Sequence, residues 1–143
     1  MSIENSDLKS FAVRVYGVLI HENKVLLMQE CHQGKEIMKF PGGGMELGED
    51  VYECLKREFL EEINLAIEVK KHIYTIDFFQ QSNFDPSEQI IGIYYRVKAL
   101  NMEEIAIREK KIIEIHWMDL KDINEAHLSF PMDKRVVSFL KEI

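Results

Sequence analysis

The sequence predicts an α/β layer domain: strands of a mixed sheet wrapped around two helices. Three observations predict it. Runs rich in β-formers recur before and after a single capped amphipathic helix at 50–63. A second helical pattern closes the chain, with Val136, Phe139, Leu140 and Ile143 on one face. No repeat, linker or low-complexity stretch separates these segments, so residues 1–143 are read as one domain.

In chain order, 11–20 (Phe-Ala-Val-Arg-Val-Tyr-Gly-Val-Leu-Ile) reads as a strand and His21-Glu22-Asn23 as a turn. Lys24 to Gln29 reads as the returning strand. Met38-Lys39-Phe40 is a short apolar segment ended by Pro41 and three glycines, and Met45 to Leu47 is a further short strand. The central helix is specified at both ends. Asp50 is a good N-cap with Glu53 completing a capping box. Asn64 tolerates the left-handed conformation wanted past the C-terminus. Residues 66–79 are again β-rich, with a bend at Lys70-Lys71, and 81–87 form a loop. Ile90 to Val97 and Ile112 to Met118 are strands, and Leu120 to Ala126 is a short helix. Pro131 suits the start of the last helix.

At about 100° per residue, Val51, Leu55 and Phe59 form the apolar stripe of the central helix, with Ile63 and Cys54 at its edges. Glu58 and Glu62 point the same way as Val51 and Leu55, and Glu61 lies on the flank beside Cys54. Glu53, Lys56, Arg57 and Leu60 point toward solvent. Carboxylates that continue a buried face are costly unless compensated. A divalent cation with oxygen ligands compensates three of them better than one arginine. The plain alternative is a solvated helix with i,i+4 pairs, but Glu58 and Glu62 would then be a like-charged pair aimed at the core. Gly42-Gly43-Gly44, just ahead of this helix, reads as a loop that lets backbone approach a phosphate or metal. Glu49 adds a carboxylate near the helix start, where it also favours the dipole.

The balance of charge bounds the partners. Eighteen Lys plus Arg against 25 Asp plus Glu leave a net charge of −7, which argues against binding nucleic acid through its backbone. A small anionic substrate then needs a metal ion to supply positive charge locally. Cys31 and Cys54 have neither zinc nor disulfide spacing, and the five histidines show no HxxxH pattern. The first residues are acidic and polar, and no run approaches the roughly 20 apolar residues that span a membrane. The expectation is a cytoplasmic protein with no membrane partner.

Gly43, Glu49, Arg57, Glu58, Phe59, Glu61, Glu62 and Leu65 resemble the Nudix box: Gly, five residues, Glu, seven residues, then Arg-Glu-hydrophobic-x-Glu-Glu-x-Gly-hydrophobic. The one departure is Asn64 at the usual glycine. The resemblance implies the family's α/β/α sandwich with a mixed central sheet. It implies a Mg²⁺- or Mn²⁺-dependent hydrolase that cleaves the pyrophosphate link of a nucleotide, a small-molecule substrate. Glu58, Glu61 and Glu62 would be metal ligands, joined by the Gly43 backbone carbonyl, with Gly42, Gly43 and Gly44 at the substrate. Arg57 would orient one of the glutamates. A water would attack phosphorus in line, with Glu58 as general base. In some members a glutamate from a later loop takes that role, which here points to Glu109 or Glu114.

The marker residues of ADP-ribose, diadenosine polyphosphate and coenzyme A hydrolases have no counterpart here. The expected substrate is therefore a free nucleoside triphosphate or a nucleoside diphosphate derivative, in that order. Tyr74, Phe78, Phe79, Phe84, Tyr94 and Tyr95 offer a base-stacking wall. The core reading has Phe78/Phe79 and Tyr94/Tyr95 each sending one ring in and one out. Homodimers are common in the family. The alternative function is a nucleotide-sensing or protein-interaction module that keeps the fold without turnover.

Overall fold

A computed structural model describes residues 7–143. The strands are β1 (Ser10–His21), β2 (Lys24–His32), β3 (Lys35–Lys39), β4 (Gly42–Gly44), β5 (Ile67–Thr75), β6 (Glu88–Ala99) and β7 (Ile112–Asp119). The helices are α1 (Val51–Ile63) and α2 (Pro131–Val137). The sheet order is β3-β2-β1-β6-β5, with β4 on β1 and β7 on β2. β1 and β6 run parallel and the other pairs antiparallel, so the sheet is mixed.

Two apolar clusters fill the two faces. Leu55, Phe59 and Ile63 of α1 pack on Val15, Leu19, Leu26 and Met28. Met132 and Val136 of α2, with Leu140, join Val18, Val25, Leu27 and Tyr94. Val25 to Met28 are all buried because both faces of β2 are covered. The β1–β2 turn is made by Glu22 and Asn23, both at positive φ, which matches the right-handed twist of the flanking strands. The bend expected at Lys70-Lys71 is a register shift between Val69 and His72 against β6.

Four local expectations change. Gly42-Gly43-Gly44 is not a loop. It is the strand β4, paired with Tyr16, Val15 and Arg14, and only Gly42 of the three has positive φ. Met45 to Leu47 lies just past that strand: Met45 N still donates to Val13 O, but the register with β1 ends at Gly44. Between Leu120 and Ala126 there is only the start of a 3-10 turn at Glu125–His127. The last helix ends at Val137: Ser138 Oγ donates to the Arg135 carbonyl and the backbone tightens, with Phe139 N donating to Val136 O. The tighter turn still buries Val136 and Leu140 and lays Phe139 against Tyr74.

Candidate active site

Helix α1 forms as its sequence specifies. Asp50 Oδ1 accepts from Glu53 N and Glu53 Oε1 accepts from Asp50 N. Asn64 takes φ 58°, and its N–H donates to Leu60 O. Asn64 does more than tolerate that conformation. Its Nδ2 donates to Glu104 O at 3.0 Å and its Oδ1 accepts from Arg108 Nη1 at 3.0 Å. Glycine could do neither. The helix exit is thereby tied to the segment that precedes β7.

Arg57 does not point into solvent as its place on the helix predicts. It folds back over the loop between β4 and α1. Nε and Nη2 donate to the two oxygens of Glu49 at 2.6 and 2.9 Å, and Nη2 also donates to Gly44 O at 3.0 Å. Nη1 reaches Glu58 Oε1 at 2.8 Å and Glu61 Oε2 at 3.2 Å. Five charge-assisted bonds are worth more than hydration of one guanidinium. The bond from Arg57 holds Glu49 down to about 2.

The Glu58 carboxylate rests against the Gly43 backbone. A Cβ added at Gly43 would lie 2.4 Å from Glu58 Cδ, so with any larger residue there the carboxylate would have to move. Glu62 is buried, 1% exposed. Burial pushes its carboxyl up to about 8, opposed by Lys39, with the neighbouring Glu58 adding to the rise. Its Oε1 is 3.5 Å from Lys111 Nζ, and its Oε2 has no hydrogen-bond partner. Cys54, beneath the Gly43 carbonyl, is a core thiol that burial pushes up to about 11.

These oxygens fit a hard divalent cation. Glu58, Glu62 and the Gly43 carbonyl are oxygen donors, and an unpartnered buried carboxylate oxygen is the atom such an ion would satisfy. Among the described residues, however, no three His, Cys, Asp or Glu side chains converge on one point. Glu61 is half exposed and drawn onto Arg57. It would have to turn inward to complete a set of three.

Of the later glutamates, Glu109 is linked to the cluster. Lys111 Nζ lies 3.4 Å from Glu109 Oε2 and 3.5 Å from Glu62 Oε1. Glu114 is exposed on β7, 3.6 Å from His116, and has no ion pair with any box residue.

Three charged residues of the site escape a reading based on the helix alone. Lys39 and Glu30 are buried, with Lys39 Nζ 3.6 Å from Glu30 Oε2, and Lys111 sits beside Glu62. The signal for two of them was the strand period. Ile37 and Lys39 share a face of β3, and Leu26, Met28 and Glu30 share a face of β2. Phe84 contributes a ring beside the site. It stands 4.6 Å from the His32 ring and meets Phe130 edge-on, lining a cleft of about 560 Å³. Tyr94 is core and stacks on Tyr16, while Tyr95 is half-buried against Tyr52.

The fold is that of the NUDIX family. The NUDIX domain model matches residues 10–140, and the chain belongs to that family of hydrolases. Two curated relatives are "Nucleoside diphosphate-linked moiety X motif 6" of Mus musculus, 27% identical over 94% of this chain, and "ADP-ribose pyrophosphatase" of Methanocaldococcus jannaschii, 28% identical over 97%. The chain spans 44% of the mouse protein's length and 82% of the archaeal one's. Among solved structures, the E. coli ORF135 protein superposes with a TM-score of 0.74 at 16% identity, covering 96% of this chain and 92% of that one. A NUDIX hydrolase from Nitrosomonas europaea superposes at 0.75 and 17%, covering 92% and 89%. At those identities the superpositions speak for the fold. No described helix is long and apolar enough to cross a membrane.

Proposed function

We propose that this chain hydrolyses a phosphoanhydride bond in a nucleoside triphosphate or a nucleoside diphosphate derivative, using a divalent cation, Mg²⁺ or Mn²⁺. The observation that carries the reading is Glu62: a buried carboxylate with an unpartnered oxygen, beside Glu58, which itself rests against Gly43. Glu58, Glu62, the Gly43 carbonyl and a rotated Glu61 would hold such a cation, which would supply positive charge against the phosphate oxygens and acidify water. Glu58 accepts the proton of the attacking water, and one phosphate leaves in line. Arg57 holds Glu58 at that position through Nη1, and Glu61 would leave Arg57 to reach it. Glu109, held by Lys111 beside Glu62, is the second choice for the base, and exposed Glu114 the third.

The cleft beside Phe84 and Phe130 suits a nucleobase, since a flat ring stacks on an exposed aromatic face. Gly42, Gly43 and Gly44, as a paired strand, position the site by letting side chains approach the backbone. Two relatives carry the names ADP-ribose pyrophosphatase and 8-oxo-dGTP diphosphatase, so both substrate classes belong in the test. The test is a hydrolysis screen with Mg²⁺ over nucleoside triphosphates, oxidised triphosphates, nucleotide sugars, ADP-ribose and dinucleoside polyphosphates, with Glu58→Gln alongside. One substrate turned over well above the rest, and not by the variant, is the expected result. Nucleotide binding without product would instead favour a sensing module.

A further inference from the structure

The pair Glu30–His32 lies between the carboxylate cluster and the aromatic cleft, and hydrolysis at Glu58 and Glu62 leaves it without a task. Glu30 is 1% exposed on β2. Its Oε1 is 2.6 Å from His32 Nε2. Its Oε2 faces Lys39 Nζ at 3.6 Å. Burial works against its ionisation, but Lys39 and the His32 hydrogen bond overcome that and hold the carboxyl below its ordinary value.

An ionised carboxylate can only accept hydrogen bonds. The His32 proton is therefore placed on Nε2. In a neutral ring Nδ1 is then an acceptor, and among the hydrogen bonds of the described residues none engages it. The ring stands 4.6 Å from Phe84 and lines the cleft of about 560 Å³ together with Phe84 and Phe130. A purely structural partner for Lys39 would not need an imidazole at the cleft wall, since Glu30 already supplies the opposite charge.

We infer that His32 is a specificity-determining residue of the substrate site: Glu30 fixes the imidazole with its proton on Nε2, and Nδ1 accepts a hydrogen bond from an N–H group of a nucleobase lying against Phe84. The inference rests on the hydrolase reading only in taking the ligand to be a nucleotide. Glu30 acts as a positioning residue, and Lys39 keeps Glu30 in place.

The test reads the ring directly, without metal and without turnover. Long-range ¹H–¹⁵N spectra of the histidine rings are recorded for the full chain, alone and with AMP, GMP, CMP, UMP or ribose 5-phosphate. The free protein is expected to show His32 as the Nε2–H tautomer. At least one nucleotide should move the Nδ1 resonance, while ribose 5-phosphate leaves it in place. Glu30→Gln, whose amide can donate to the ring, should mix the tautomers and weaken that nucleotide at least tenfold with no change for ribose 5-phosphate. His32→Ala should weaken the same nucleotide to a similar extent. An Nδ1–H tautomer in the free protein, an Nδ1 resonance that no nucleotide moves, or unchanged base preference in both variants would overturn the inference. The hydrolase reading stands or falls separately. Metal-dependent turnover with a silent His32 keeps the activity and removes this proposal. A His32 response without turnover keeps the proposal and removes the activity.

Discussion

At Gly43 a single methyl group decides whether Glu58 keeps its place. Gly43→Ala puts a carbon 2.4 Å from Glu58 Cδ, and that carboxylate must leave the backbone against which it rests. Turnover is expected to drop at least tenfold, with little loss of stability, because the group displaced is the end of a flexible side chain. Unchanged kcat would show that Glu58 need not sit there. Glu62 separates stability from activity. Its carboxyl is raised by burial, so below its unfolded value near 4.5 the charged form costs nothing, and stability is lost as pH rises toward about 8. Glu62→Gln should therefore melt higher than the natural chain at pH 8 without metal, show little difference at pH 5, and lose both turnover and stabilisation by added Mg²⁺. Equal melting points at pH 8 would contradict the buried charge.

At the scale of elements, α1 is the part most legible in sequence, because its signals are local. Asp50, Glu53 and Asn64 each act within one turn of the helix, and all three act as expected. What lay beyond local reading is the use of the Asn64 side chain. Its partners, Glu104 and Arg108, are 40 and 44 residues away. Asn64→Gly restores the family pattern and relieves positive φ, yet removes both bonds. The expected net effect is a loss of about 1–2 kcal/mol, measured by denaturant unfolding. A gain in stability would mean that the left-handed cap alone matters. Arg57 shows the same limit: the helical angle sends it outward, and only the loop carrying Gly44 and Glu49 draws it back.

At the scale of the molecule, α2 is tied to the sheet by a buried acid as well as by Met132 and Val136. Asp133 Oδ1 accepts from the Tyr94 hydroxyl, and Tyr94 in turn stacks on Tyr16 and meets Phe40 edge-on. Asp133 Oδ2 has no partner, and burial pushes the carboxyl up to about 6. The stability it contributes is complete below its ordinary value of 3.8 and is lost as pH rises through about 6, by about 3 kcal/mol for a shift of this size. Asp133→Asn should flatten the stability profile between pH 4 and pH 6.5 and leave the fall toward pH 8 unchanged. An unaltered profile across pH 4 to 6.5 would place that loss elsewhere.

The sequence by itself determined the layer class, the longer strands and the main helix, the ends of that helix, and the set of carboxylates on it. Each depends on periodicity or on contacts within a few residues. Tertiary structure alone decided that the glycines form a paired strand under Glu58, that Arg57 clamps the loop, and that Lys39, Glu30, His32 and Lys111 surround the site. Those last four residues come from β2, β3 and the approach to β7. Pairing of β2 with both β3 and β7 brings Lys39 and Lys111 to the two sides of one buried acid strand. Spacing along a chain carries no record of such pairings, because a sheet joins residues at separations that no single period encodes.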